Sequence, residues 1–210
     1  MVAIALVSQK GGSGRTTIAC HLGAIATASG YVTCIVDLDP QATAAAWGDW
    51  RARGDPAVIT SPPTRLAKTL KDAKELGSQI AIIDTPPFAE SAAHEAAKQS
   101  DLVLVPCRPR AFDLHSIKLT AELVNFARKP AFVIWNGVPH QASKLLADAV
   151  AIIRQFDLKA APVSLAERAI YHHSTAIGKV AAEVEPEGIG ASEIEALWSW
   201  LCQQVNMPIG

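Results

Sequence analysis

Apolar runs of strand length recur along the chain at 2–7, 32–36, 80–83, 102–105 and 131–135. They are nearly continuous rather than alternating, which is the pattern of strands buried on both faces of a parallel sheet. Between them, apolar residues at helical spacing predict helices over 16–28, 42–53, 64–76, 116–127 and 143–156, with a last helix over 192–205. Strand and helix in alternation predict an α/β fold, a doubly wound and mainly parallel sheet with helices on both faces. The Pro-, Ser-, Thr- and Gly-rich segment 54–63 is too short for an interdomain linker and is expected to hold a short edge strand at 58–60. No repeat or low-complexity tract interrupts the pattern, so 1–210 is expected to form a single domain.

Composition narrows the function classes. Nineteen Lys and Arg against twenty Asp and Glu leave a net charge of −1, so the chain lacks the overall positive charge of a histone-like protein. Any contact with nucleic acid must come from a local patch. Residues 100–180 hold ten basic and six acidic groups, whereas 181–210 hold five acidic and no basic ones. A binding patch and an ordinary solvated surface both fit that asymmetry. Cys20, Cys34, Cys107 and Cys202 are widely spaced in apolar contexts with no C-x-x-C pair, which argues against zinc and disulfides and for a reducing cytosol. No apolar run reaches the roughly 18 residues that span a bilayer, and the start has no cationic segment or cleavage site, so neither export nor membrane insertion is expected. His172 and His173 lack flanking ligands at metal spacing and are read as solvated or packing residues. Ser91, Ser116 and Ser174 lack a G-x-S-x-G context, which leaves serine-hydrolase chemistry no foothold.

Directly after the first strand stands Gln9-Lys10-Gly11-Gly12-Ser13-Gly14-Arg15-Thr16-Thr17, followed by a helix. Glycines let backbone N–H groups curl round an anion and the helix N-terminus adds its positive end, so this order of elements is a phosphate cradle. Against G-x-x-x-x-G-K-[ST] the loop has Gln9 for the first glycine and Arg15 for the lysine. Asp39, in Val36-Asp37-Leu38-Asp39-Pro40-Gln41, and Asp84, in Ile80-Ala81-Ile82-Ile83-Asp84-Thr85-Pro86-Pro87, each follow a buried strand at its carboxyl end, where open α/β sheets bind ligands. Taken singly, each aspartate could equally be a strand-end cap.

These motifs together resemble the ParA/MinD family of deviant Walker ATPases, whose loop is K-G-G-x-G-K-T-[TS], and most of all small plasmid-partition ParA proteins. The resemblance explains Gln9 and leaves Arg15 as the departure. It implies a P-loop NTPase fold, ATP and Mg2+ as cofactors, and a nucleotide-sandwich dimer in which Lys10 reaches the partner subunit's phosphates. It places Gly11, Gly12, Ser13, Gly14, Arg15, Thr16 and Thr17 on the nucleotide, with Thr16, Asp84 and Asp39 at the metal. Asp39 positions the attacking water, and Lys10, Asp39 and Arg15 form the catalytic set. Asn136 takes the place of an adenine-reading asparagine, although an Asn-Gly turn would also account for it. The loop Val105-Pro106-Cys107-Arg108-Pro109 falls where the family keeps a loop near the nucleotide and dimer face, and Arg168, Tyr171, Gly178 and Glu183 match a late R-x-x-Y…G…E stretch. Trp47 and Trp50 are expected to pack rather than bind.

The resemblance further implies nonspecific DNA as a ligand of the ATP dimer, gripped by scattered basic residues, for which Arg108, Arg110, Arg128, Lys129, Lys144 and Arg168 are the candidates. A ParB-like or other small DNA- or cargo-bound adaptor would stimulate hydrolysis, and the location would be cytoplasmic and nucleoid-associated. The phosphate loop begins within ten residues of Met1, so the helix-turn-helix extension of large ParA repressors is expected to be absent. The final predicted helix has no Lys or Arg and does not match the basic membrane-binding tail of MinD-type relatives, so no membrane partner is expected. Two other functions stay open. Arginine keeps the charge of lysine but not its fit, which leaves a nucleotide-dependent dimerising DNA scaffold with little or no hydrolysis. A ligase of the dethiobiotin synthetase type shares fold and loop, but Lys10 and the D-x-D-P-Q element speak against it.

Overall fold

In the computed structural model, which describes residues 1–209, the five apolar runs become five of the seven parallel strands of one sheet. The elements follow as β1 (Val2–Leu6), α1 (Arg15–Ala28), β2 (Thr33–Asp37), α2 (Thr43–Trp50), β3 (Ala57–Thr60), a 3-10 turn at Pro63–Arg65, α3 (Leu66–Glu75), β4 (Ile80–Asp84), α4 (Glu90–Gln99), β5 (Leu102–Cys107), α5 (Ala111–Ala127), β6 (Ala131–Val138), α6 (Ser143–Arg154), β7 (Lys159–Ala166), α7 (Ala169–Thr175), α8 (Ala181–Val184) and α9 (Ile189–Gln204). The strand order is β3-β2-β4-β1-β5-β6-β7, so the expected short strand around 58–60 is the sheet's edge. Chain direction across the sheet reverses around β1, and the loop from β1 to α1 opens at that switch point.

Each central strand divides its residues between two cores. Ile4 and Leu6 face α1 and α9 together with Ile82, Leu104, Trp47, Leu197, Trp198 and Leu201. Ala3, Ala5 and Val7 face the opposite layer with Val36, Ile83, Leu70, Ala96, Ile117 and Ile153. Strands buried on both sides have no polar face to alternate with, hence the unbroken apolar runs. The last helix packs on the body as expected, and among the described residues no helix is long and apolar enough to cross a membrane.

Several expectations are corrected. β7, α4, α7 and α8 have no counterpart among the predicted elements. β7 is the other edge strand, and Lys159, Pro162 and Ser164 break its apolar pattern because much of it meets solvent. α4 buries Ala92, Ala93, Ala96 and Ala97, a one-sided stripe made of alanine alone. α2 ends at Trp50 rather than at 53, and α5 starts at Ala111 rather than at 116. Trp47 is buried, its Nε1 donating to the Lys179 carbonyl, but Trp50 is 57% exposed and does not pack.

A buried histidine latches the carboxyl-terminal helices to the first one. His21 Nδ1 lies 2.8 Å from the Thr17 carbonyl, and the Ala181 N–H donates to Nε2 at 3.1 Å, which fixes the neutral Nδ1–H tautomer. Burial pushes its pKa down to about 4, with the Thr17 carbonyl and Glu183 pulling weakly the other way. The unfolded chain therefore takes up a proton below about pH 6.5 that the folded one refuses until about pH 4. Stability is full above that window and falls as pH drops through it, by about 3 kcal/mol at most from this group. Urea melts at pH 7.5 and pH 4.5 should show a smaller acid-induced loss in His21→Asn than in the unaltered protein; equal losses would contradict the latch.

Candidate phosphate-binding site

The β1–α1 loop owes its shape to glycine. Gly14 precedes α1 with φ of +96°, and a Cβ there would collide with the Asn136 amide. No side chain caps α1, so its first N–H groups remain available to an anion. Pro87 and Phe88, from the loop after β4, lie against Gly11 on the other side. The Gln9 N–H donates to Thr120 Oγ1 and ties the loop to α5.

The sequence-predicted residues converge in part. The Thr16 hydroxyl donates to Asp84 Oδ2 at 2.7 Å, while Asp84 Oδ1 is buried without a partner. Burial pushes the Asp84 carboxyl up to about 7, against the Thr16 hydroxyl bond and the charge of Arg15. A hydroxyl and an orphaned carboxylate oxygen are hard donors of the kind Mg2+ takes alongside waters and phosphate oxygens. Among the described residues no three His, Cys, Asp or Glu side chains gather into a metal cluster, so such an ion would depend on the nucleotide for further ligands. Asp39 makes no hydrogen bond to Thr16 or Asp84; its Oδ1 accepts the Gln41 N–H at 2.9 Å from the loop before α2, and its charge helps raise the Asp84 pKa.

Arg15 turns inward. Its Nη1 donates to the carbonyl oxygens of Ser8 and, at 3.2 Å, Lys10, and the side chain is buried. Desolvation lowers its pKa while Asp84 and Asp39 oppose the shift. The Lys10 ammonium, by contrast, has no hydrogen-bond or ion-pair partner among the described residues. Asp37 is a buried anchor to which pattern reading gave no role. It is buried at the end of β2, where Oδ1 accepts the Asp39 N–H and Oδ2 the Ala45 N–H, so it sets the path of the segment carrying Asp39. The D-x-D spacing holds that signal, since the first aspartate can reach the second one's backbone.

Beside the loop lies a cavity of about 200 Å³, bounded by Gly12, Gly14, Thr17, Arg108, Asn136 and Tyr171. The Asn136 amide donates to the Ser13 carbonyl at 2.7 Å. The DNA candidates are dispersed. Arg108 lines this cavity instead of standing on the outer surface. Arg110 pairs with Glu167 at 3.1 Å. Arg168 forks onto Glu193 at 2.7 Å, where the Tyr171 hydroxyl also donates; Glu193 lies too far along the chain for spacing to reveal the pair. Arg128 and Lys129 sit just before β6 begins, at the opposite sheet edge from Lys144, which follows the end of β6. Arg128 and Lys129 thus lie at the other end of the sheet from Arg108, Arg110, Lys144 and Arg168, which follow the carboxyl ends of β5, β6 and β7. Of the late stretch, Glu183 instead holds Arg51 at 2.7 Å and Gly178 lies against the Trp50 backbone, tying α8 to α2.

Comparison with known proteins places this geometry in a family. The family model described as CobQ/CobB/MinD/ParA nucleotide binding domain matches residues 4–172. The chain is 27% identical over 200 residues to the maintenance of carboxysome distribution protein A of Halothiobacillus neapolitanus, covering 90% of this chain and 91% of that one. It is 31% identical over 130 residues to a ParA protein of Rhizobium radiobacter, covering 58% and 57%. Among solved structures, the apo McdA of Cyanothece superposes with a TM-score of 0.79 at 20% identity, over 96% of this chain and 99% of that one. The cell-division ATPase MinD of Pyrococcus furiosus gives 0.75 at 18% identity, over 97% and 99%.

Proposed function

Because the chain belongs to the CobQ/CobB/MinD/ParA family of P-loop nucleotide-binding proteins, we propose that it is a ParA-like ATPase that dimerises round ATP, binds DNA without sequence preference and is reset by partner-stimulated hydrolysis. The observation that carries this reading is the Thr16–Asp84 pair at an uncapped helix N-terminus, with an orphaned carboxylate oxygen beside the phosphate cradle. Gly11 to Thr17 hold the phosphates through backbone N–H groups. Thr16 and Asp84 hold Mg2+, directly or through its waters, and the bound ion neutralises phosphate charge. Lys10, unpaired among the described residues of its own subunit, supplies its charge to the partner's nucleotide. Asp39, placed by Asp37, orients the attacking water and supports the metal site only at a distance. Phosphoryl transfer needs little beyond such placement of charge and water.

The cargo is a plasmid, a chromosomal region or a protein assembly, carried by a small adaptor. Relatives named for carboxysome distribution and partition support a positioning role, and a cytoplasmic, nucleoid-associated location follows from it. Arg128, Lys129 and Lys144 remain the DNA candidates without an ion pair among the described residues. Gel shifts on unrelated duplexes should show binding with ATP but not with ADP or without nucleotide, lost steeply between about 50 and 200 mM salt as counterion release predicts. Equal binding in all three states, or a flat salt response, would contradict a switch. A second reading, a dimerising scaffold with little turnover, is favoured by one contact: Arg15 donates to the loop's own carbonyls.

A further inference from the structure

Arg108 stands in the wall of the cavity beside the phosphate loop. Its Nε is buried without a hydrogen-bond partner, and no carboxylate lies within ion-pair distance of it among the described residues. Glu167, the one acid lining the same cavity, is paired with Arg110. Gly137, at φ of +61°, lies against this side chain, and a Cβ there would meet Arg108 Nε at an ordinary contact distance of 3.4 Å. An arginine left without partners next to a ligand cavity is a donor waiting for an acceptor.

Asn136 supplies the complementary half. Its amide contacts the Ser13 carbonyl, and a carbonyl only accepts, so Nδ2 is the atom facing the loop and Oδ1 is left as an acceptor. One acceptor and one planar donor thus border the same cavity. Adenine carries an amino group beside ring nitrogens and matches that pair, donor to acceptor and acceptor to donor. Guanine would set its carbonyl oxygen against Asn136 Oδ1.

Resting on the nucleotide-site reading above, we propose that Arg108 is a specificity-determining residue that donates to the adenine ring nitrogen beside the amino group accepted by Asn136, and is not a DNA contact. Calorimetric titration of the full chain with ATP, ADP, GTP and inorganic tripolyphosphate tests this. Arg108→Gln should weaken ATP and ADP by the same factor, about tenfold or more for a lost charged hydrogen bond, narrow the preference for ATP over GTP, and leave tripolyphosphate affinity unchanged. Arg108→Lys, which keeps the charge but not the planar fork, should fall between. The unchanged tripolyphosphate affinity also shows that the variant is folded; if Arg108→Gln binds nothing, Arg108→Lys carries the comparison with the same expected pattern. ATP affinity unaltered in the variants, or tripolyphosphate weakened as much as ATP, would overturn the assignment. Failure of the unaltered protein to bind any nucleotide would instead overturn the reading on which it rests.

Discussion

Arg15→Lys is expected to raise ATP turnover by about tenfold or more, a misplacement of transition-state charge worth ~1.4 kcal/mol being enough for that factor. The guanidinium is large and planar, and here it spends a donor on the carbonyl oxygens of Ser8 and Lys10, the backbone of the loop that should embrace the phosphates. A lysine ammonium is a compact charge on a flexible stem and can follow the phosphate as charge develops. ATP affinity should change little, because the uncapped N–H groups of α1 and the Thr16 hydroxyl stay in place. Steady-state phosphate release from the two proteins, with DNA present, decides the matter. Equal or lower turnover in the lysine variant would mean that the loop has adapted to arginine.

Asp39→Ala is expected to lower turnover by about 100-fold or more while ATP affinity stays within roughly twofold, in keeping with the loss of a group that acts on the water rather than on the ground state. The side chain is half-exposed and holds only the Gln41 N–H, so removing it leaves β2 and its buried anchor Asp37 intact. The variant should accumulate as the ATP dimer on DNA. Single-turnover hydrolysis beside equilibrium binding separates the two effects. Lost ATP affinity with normal hydrolysis per bound nucleotide would show that Asp39 is misassigned.

The parts of the site that were legible in the sequence are those whose chemistry is local. A strand, a glycine loop and a helix suffice to specify the anion cradle, and Asp84 announces itself by ending a fully apolar strand. What escaped depends on distant partners or on small side chains. Arg110 and Arg168 looked like free charge until Glu167 and Glu193 were brought against them by folding. The His21 latch joins residues 160 positions apart. α4 buries a stripe of alanines with no large apolar side chain among them, and the first turn of α5 exposes Phe112, an apolar residue on the wrong face for the pattern. β7 was hidden because Lys159, Pro162 and Ser164 interrupt its apolar run and only Ala161 and Leu165 are buried.

The central claim is that ATP drives dimerisation through Lys10, whose charge has no partner among the described residues of its own subunit. Sedimentation velocity of the full chain with ATP and Mg2+, with ADP and Mg2+, and without nucleotide tests it most directly. The account predicts a dimer with ATP alone and a monomer in the other two states, with Lys10→Ala monomeric in all three. A protein that binds ATP tightly yet sediments as a monomer, or a Lys10→Ala variant that dimerises as readily as the unaltered chain, would contradict it.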